Sequence, residues 1–171
     1  MTCCALCGMF QALRLRAVGA LALALLIAGA SCTPAPGTSA TPPPGSAMPQ
    51  SIIDPYLKIQ GALAHDSTEG VRANAGAIAT AATALGAPAM KIDMAAVQLA
   101  AAGDLADTRA KFGTLSDALV TYVNGERLTL PNGVRTAMCP MVHKPWLQAG
   151  GILANPYFGS EMPMCGEFTS P

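Results

Sequence analysis

Residues 104–125 read DLADTRAKFGTLSDALVTYVNG, and this stretch decides the fold. Asp104 stands where a helix wants a capping oxygen, and Asn124-Gly125 supplies a stop. Between them Leu105, Phe112, Leu115, Leu119 and Tyr122 recur at helical spacing, so one face of a long helix is apolar. Leu115 and Leu119 are therefore expected in the core.

Three further helices are legible upstream. Asp54-Pro55 has the form of an N-cap followed by proline at the first helical position, and Ile52, Tyr56, Ile59 and Leu63 share a face. Asp66 with Glu69 three positions on resembles a capping box, and Val71, Ala75, Ile78, Ala82 and Leu85 form the stripe of the next helix, which Gly86 and Pro88 end. Met90, Met94, Val97 and Ala101 mark a shorter helix closed by Gly103. The short connections favour antiparallel neighbours, so the predicted fold is all-α, a small up-down helical bundle. Strand alternation is weak throughout, although residues 126–136, around Pro131-Asn132-Gly133, could make a short hairpin. Beyond Ala137 the many prolines and glycines exclude a long helix, and Trp146, Tyr157 and Phe158 need burial. An irregular but ordered Pro/Gly-rich C-terminal cap is expected there.

Composition narrows the function classes. The chain of 171 residues has a formal charge of +0 and only 12% charged residues, which argues against nucleic acid or an anionic surface as partner. Aromatic residues reach only 5%, and abundant alanine suits closely packed helices better than sandwiched strands.

Residues 1–31 read as a signal peptide. Arg14 and Arg16 form its basic region, and residues 17–28 form an apolar run too short to span a bilayer as a mature helix. Met1 or Met9 could be the start. Cys3, Cys4 and Cys7 precede the apolar run and would be removed with it. Ala28-Gly29-Ala30 offers ordinary cleavage, whereas Gly29-Ala30-Ser31-Cys32 has the form of a bacterial lipobox with glycine in place of its usual leucine-like residue. Residues 32–50 are a Pro, Ser, Thr and Gly tether, so Cys32 is the expected lipid attachment point and residues 51–171 the folded domain. The expected location is the periplasm, as an outer-membrane lipoprotein or, alternatively, as a soluble protein.

The chemistry lies in the last third. Met138-Cys139-Pro140-Met141-Val142-His143 and Met162-Pro163-Met164-Cys165-Gly166 crowd sulfur around two cysteines. Thiolates and thioethers are the donors that soft, closed-shell Cu(I) and Ag(I) prefer. The candidate metal ligands are Cys139, Met141, Met162, Met164 and Cys165, with His143 as a further candidate. A surface position for His143 and core packing for the methionines are the bland alternatives. A Cys139–Cys165 disulfide is the main rival, because two cysteines in an oxidising compartment commonly pair. Zinc lacks a fourth suitable ligand, and calcium lacks a carboxylate cluster. Neither a phosphate-binding glycine motif nor an acid–base constellation is present, so an enzyme is not expected.

Five motifs occur in order: Phe112-Gly113-Thr114-Leu115-Ser116-Asp117-Ala118-Leu119, Cys139-Pro140-Met141, Trp146-Leu147-Gln148, Asn155-Pro156-Tyr157-Phe158-Gly159 and Met162-Pro163-Met164-Cys165-Gly166-Glu167. Over residues 56–167 the chain resembles the DUF3347 family of bacterial periplasmic domains, found alone or at the C-terminus of copper and silver efflux adaptors. The resemblance implies a helical bundle with a soft-metal site at Cys139, Met141, Met162 and Cys165. It also implies a role in copper or silver homeostasis as a metal sink, chaperone or efflux accessory. Partners would be the ion itself and a copper/silver efflux system or multicopper oxidase. The hairpin, lipoyl and barrel sequences of the pump adaptors have no counterpart in this chain. The alternative is a disulfide-stapled outer-membrane interaction domain that binds no metal.

Overall fold

The computed structural model of the protein describes residues 42–169. The expected signal peptide at 1–31, the expected lipidation position Cys32 and the first part of the expected tether lie outside the described residues. Helix α1 runs Gln50–Ala64, α2 Val71–Leu85, α3 Met90–Ala100 and α4 Leu105–Gly125. Strands β1 (Val134–Cys139), β2 (Lys144–Ala149) and β3 (Glu167–Phe168) follow; 3-10 turns lie at Ala87–Ala89, between α2 and α3, and at Gly159–Glu161, before β3. Among the described residues no helix is long and apolar enough to cross a membrane.

The strands correct the all-α expectation: the fold is mixed, four helices with a three-stranded antiparallel sheet in the order β2-β1-β3. What was expected as an irregular cap contains a hairpin, with Val134 facing Ala149 and Cys139 facing Lys144. Its turn is Pro140 to His143, not the earlier Pro131-Asn132-Gly133. The reason the strand was missed is physical. Pro145, Trp146, Leu147 and Gln148 are all buried in succession, so β2 is covered on both faces and shows no period-two alternation. Its proline is tolerated because β2 is an edge strand of the sheet.

The helices follow the sequence in α2 and α4 and depart from it in α1 and α3. Val71, Ala75, Ile78, Ala82 and Leu85 are buried on α2, and Phe112, Leu115, Leu119 and Tyr122 on α4. Asp104 caps α4, accepting the Asp107 N–H at 2.8 Å. Helix α1 begins four residues before Asp54, which places Pro55 inside it. The carbonyl that loses its partner there belongs to exposed Ser51, so the missing N–H costs little. Before α2 the Asp66–Glu69 box does not form; Gly70 holds the cap position. On α3 the buried face is Ile92, Ala95, Ala96 and Leu99, while Met90, Met94 and Val97 are exposed. This helix is apolar on two sides. Burying Ala95 and Ala96 toward a bundle that also buries Ala75 and Ala82 lets backbones approach more closely than a methionine stripe would.

An aromatic column joins the helices to the sheet. Tyr56 of α1 stacks on Phe112 of α4 with centroids 5.1 Å apart, Phe112 meets Tyr157 at 5.9 Å, and Trp146 of β2 stands edge-on to Tyr157 at 6.1 Å. Each buried hydroxyl in the column has a partner, as burial requires. The Tyr56 and Ser116 hydroxyls lie 2.6 Å apart, the Leu147 N–H donates to the Tyr56 oxygen at 3.1 Å, and the Tyr157 O–H donates to the Pro145 carbonyl at 2.5 Å. Burial, first of all, pushes both phenols above their ordinary value. The hairpin is thereby fixed to the bundle at several points, and the segment that follows it is laid across the same face.

Candidate metal centre

The cysteine pair arises from strand register. On β1 alternate residues Ala137 and Cys139 point inward and are fully buried, while Met138 between them is half-buried. Strand β3 pairs antiparallel with β1, Ala137 facing Phe168 and Met138 facing Glu167. The chain leading into β3 brings Gly166 and Cys165 to the Cys139 end of β1. The two side chains are free thiols, and their residues are brought together by one amide, that of Asn155. Desolvation, followed by the charge and hydrogen bond of Cys139, pushes the Cys165 thiol up.

Asn155 organises the pair. Its Nδ2 donates to the Cys139 Sγ at 3.4 Å and to the Cys165 carbonyl at 2.6 Å. Its Oδ1 accepts the Tyr157 N–H at 2.7 Å and the Phe158 N–H at 3.3 Å, which fixes the amide orientation. The backbone N–H of Asn155 donates to the Pro163 carbonyl at 2.8 Å, and its carbonyl accepts from Gly159 at 3.0 Å. One fully buried side chain therefore closes the loop that carries Cys165 and points a donor at the sulfur of Cys139.

A polar latch holds the same segment from the other side. Asp66, which follows α1, receives the Arg109 guanidinium of α4 at 2.5 Å, the Ser160 N–H at 3.1 Å and the Ser160 hydroxyl. Arg109 also donates to the carbonyls of Pro156 at 3.0 Å and Leu63 at 3.2 Å. Gly159 fills the angle of this latch with φ +55°, and a Cβ there would sit 2.0 Å from Asp66 Oδ1. The Ser160 hydroxyl, first, and then Arg109 hold the Asp66 carboxyl down at about 2, below its ordinary 3.8. A depressed folded value means the contribution to stability is complete above the unfolded value and lost as pH falls through the folded one. Asp66→Asn should therefore lower the melting temperature at pH 7, with the difference from wild type closing as the pH approaches 2. Thermal melts across that range check it, and a constant difference would contradict the assignment.

The other expected ligands lie within four residues of one cysteine or the other in the sequence. Met162 is half-buried, and its carbonyl accepts the Cys165 N–H at 3.2 Å. Met141 and Met164 are 62% and 64% exposed, so their thioethers are free to swing. His143 is exposed at the hairpin turn with φ 52°. Among the described residues no group of three His, Cys, Asp or Glu side chains could hold a metal ion, so the donors available at this place are sulfur. That set suits a soft ion and does not suit zinc or calcium. Reading the sequence overlooked Asn155 as an organiser and Asp66 and Arg109 as a latch. The Asn-Pro step did carry a signal for Asn155, because an Asn side chain commonly accepts the N–H two residues on. Nothing local announces the latch, whose partners come from three parts of the chain. No family model matches this chain, and neither a curated protein nor a solved structure is significantly similar to it.

Proposed function

We propose that the domain holds a soft, closed-shell ion, Cu(I) or Ag(I), between Cys139 and Cys165, and serves a periplasmic metal sink, chaperone or efflux accessory. The observation that carries this reading is the pair of free thiols whose residues one buried amide, Asn155, holds together, with methionines within three residues of each cysteine in the sequence. Cys139 and Cys165 would supply thiolates. Met162, Met141 and Met164 would supply thioethers, the last two from exposed positions able to cover the ion or release it. The resemblance to DUF3347 points the same way, and the residues that carry it gather around this place: Phe112 and Tyr157 in the aromatic column, Trp146 beneath Gly166, and Asn155 between the cysteines. The second reading, a disulfide-stapled interaction domain of the outer membrane, draws on the same pair of cysteines held by Asn155.

A titration of the reduced chain with Cu(I) against a competing chelator tests the proposal. One ion per domain is expected. Cys139→Ser and Cys165→Ser should each weaken binding by about 100-fold or more, about 2.8 kcal/mol. Met141→Leu and Met164→Leu should each cost less than about tenfold, because two thiolates can hold such an ion alone. Acid should weaken binding as protons compete for the sulfurs. If the reduced wild type does not outcompete the double Cys→Ser variant, the stapled domain becomes the better reading.

A further inference from the structure

We propose that Cys139 and Cys165 form an asymmetric thiol–disulfide exchange pair, in which Cys165 reacts first with a small-molecule disulfide and Cys139 then closes an internal bridge. The order follows from access. Cys139 is fully buried, with Asn155 Nδ2 against its sulfur, so no oxidant of any size reaches it in the folded domain. Cys165 is partly exposed and follows the turn of Met162 to Met164, whose outer residue is open to solvent.

The geometry also permits the bridge. The Asn155 amide nitrogen donates to the Cys139 sulfur at 3.4 Å and to the Cys165 carbonyl at 2.6 Å, so the two residues lie against each other, the proximity a disulfide requires. Asn155 is itself fully buried and fixed by the Tyr157 and Phe158 N–H groups, so it holds both residues in place, one through its sulfur and one through its carbonyl.

The chemistry balances with a disulfide of the glutathione type as oxidant. The Cys165 sulfur attacks one sulfur of the oxidant, the oxidant S–S bond breaks, and the departing thiolate takes up a proton. A mixed disulfide is left on Cys165. Cys139 then attacks the Cys165 Sγ, the mixed bond breaks, and a second thiol molecule leaves with a proton. Two protein thiols are oxidised by two electrons, and one disulfide is reduced to two thiols. The first step is the slow one, because the oxidant must reach a partly buried sulfur. The second is fast, because its partners are already in place. The mixed disulfide therefore does not accumulate in the wild type. The proposal concerns the same sulfurs as the metal reading, but does not require that they bind metal.

The test uses the full chain, reduced, stripped of metal with a chelator and exposed to oxidised glutathione. Peptide mapping by mass spectrometry reads Cys139 and Cys165 apart from the four N-terminal cysteines. The wild type should yield the two peptides linked, with the loss of two hydrogens and no persistent adduct. Cys139→Ala should accumulate a glutathione adduct on Cys165, and folded Cys165→Ser should leave Cys139 unmodified. The wild-type time course stands by itself if a variant fails to fold. A lasting adduct on Cys165, two untouched thiols, or an adduct on Cys139 in folded Cys165→Ser would each overturn the proposal. Bridging by a chain that fails to hold Cu(I) when reduced would remove the metal reading and leave this one standing. Cu(I) binding without bridging would do the reverse.

Discussion

Asn155→Ala is expected to destabilise the protein by about 3–5 kcal/mol and to lower its melting temperature by about 10 °C or more. The substitution leaves the Tyr157 and Phe158 N–H groups and the Cys165 carbonyl without their partner, in a place where Asn155 itself is fully buried. Each buried polar group left unpaired costs about 1–3 kcal/mol, well beyond the net worth of the hydrogen bond it made. Cys139 loses its donor at the same time. A circular-dichroism melt measures the effect, and a wild-type melting temperature would remove Asn155 from the centre of the site. Asn155→Asp sharpens the test. It keeps an acceptor for the two N–H groups but places a second acceptor against the Cys139 sulfur and the Cys165 carbonyl. It should therefore weaken Cu(I) binding out of proportion to its effect on stability.

Gly166→Ala should cost about 2–5 kcal/mol. Gly166 has φ +147°, which L side chains rarely adopt, and strained backbone of that kind costs about 1–3 kcal/mol. The new Cβ would lie 2.5 Å from the Trp146 ring and 3.0 Å from the Met138 carbonyl oxygen, and overpacking adds about 1–3 kcal/mol. The ring has little room to retreat. Trp146 is fully buried and its Nε1 donates to Gln148 Oε1 at 3.0 Å; the same oxygen accepts the Ala154 N–H at 3.0 Å, just ahead of Asn155. Gly61→Ala is the natural control, because nothing lies within 4 Å of a Cβ there and the residue is inside α1. That variant should match or slightly exceed the wild type in stability. Equal melting temperatures for the two variants would contradict the close approach of Gly166 to Trp146.

The sequence was most legible where one periodicity dominated. Helix α4 showed its cap and its buried stripe because Asp104 and Leu115–Leu119 obey local rules that nothing overrides. Helix α3 was legible as a helix but not in its facing. Its residues are apolar on two sides, and which side turned inward was decided by the small residues of its neighbour, not by its own pattern. Strand β2 was illegible because burial on both faces erases alternation, and proline at its second position argued against a strand. At the candidate site, Cys139 and Cys165 were visible by type. Their juxtaposition depends on a two-residue strand, β3, that no propensity argument would have found. Arg135 over the Phe168 ring at 3.8 Å helps to hold that strand on β1, and such a contact between distant residues has no local signature.

The short segment ahead of α1 also shapes how the domain bears mechanical load. Ala47 and Thr129 form a parallel bridge: Gly45 donates to the Arg127 carbonyl at 2.8 Å, Thr129 to Ser46 at 2.9 Å and Met48 to Thr129 at 2.8 Å. Met48 is buried beyond them. Tension drawn through the N-terminal residues runs along this short ladder, so the three bonds resist together in shear instead of parting one after another. The force passes into the chain just beyond the C-terminal end of α4. Asp66 and Ser160, by contrast, grip that helix at Arg109 near its beginning, about 24 Å away along its axis at 1.5 Å per residue. Tension arriving from the N-terminal side is thus taken up at the C-terminal end of α4, away from the Asp66–Arg109 latch at its beginning.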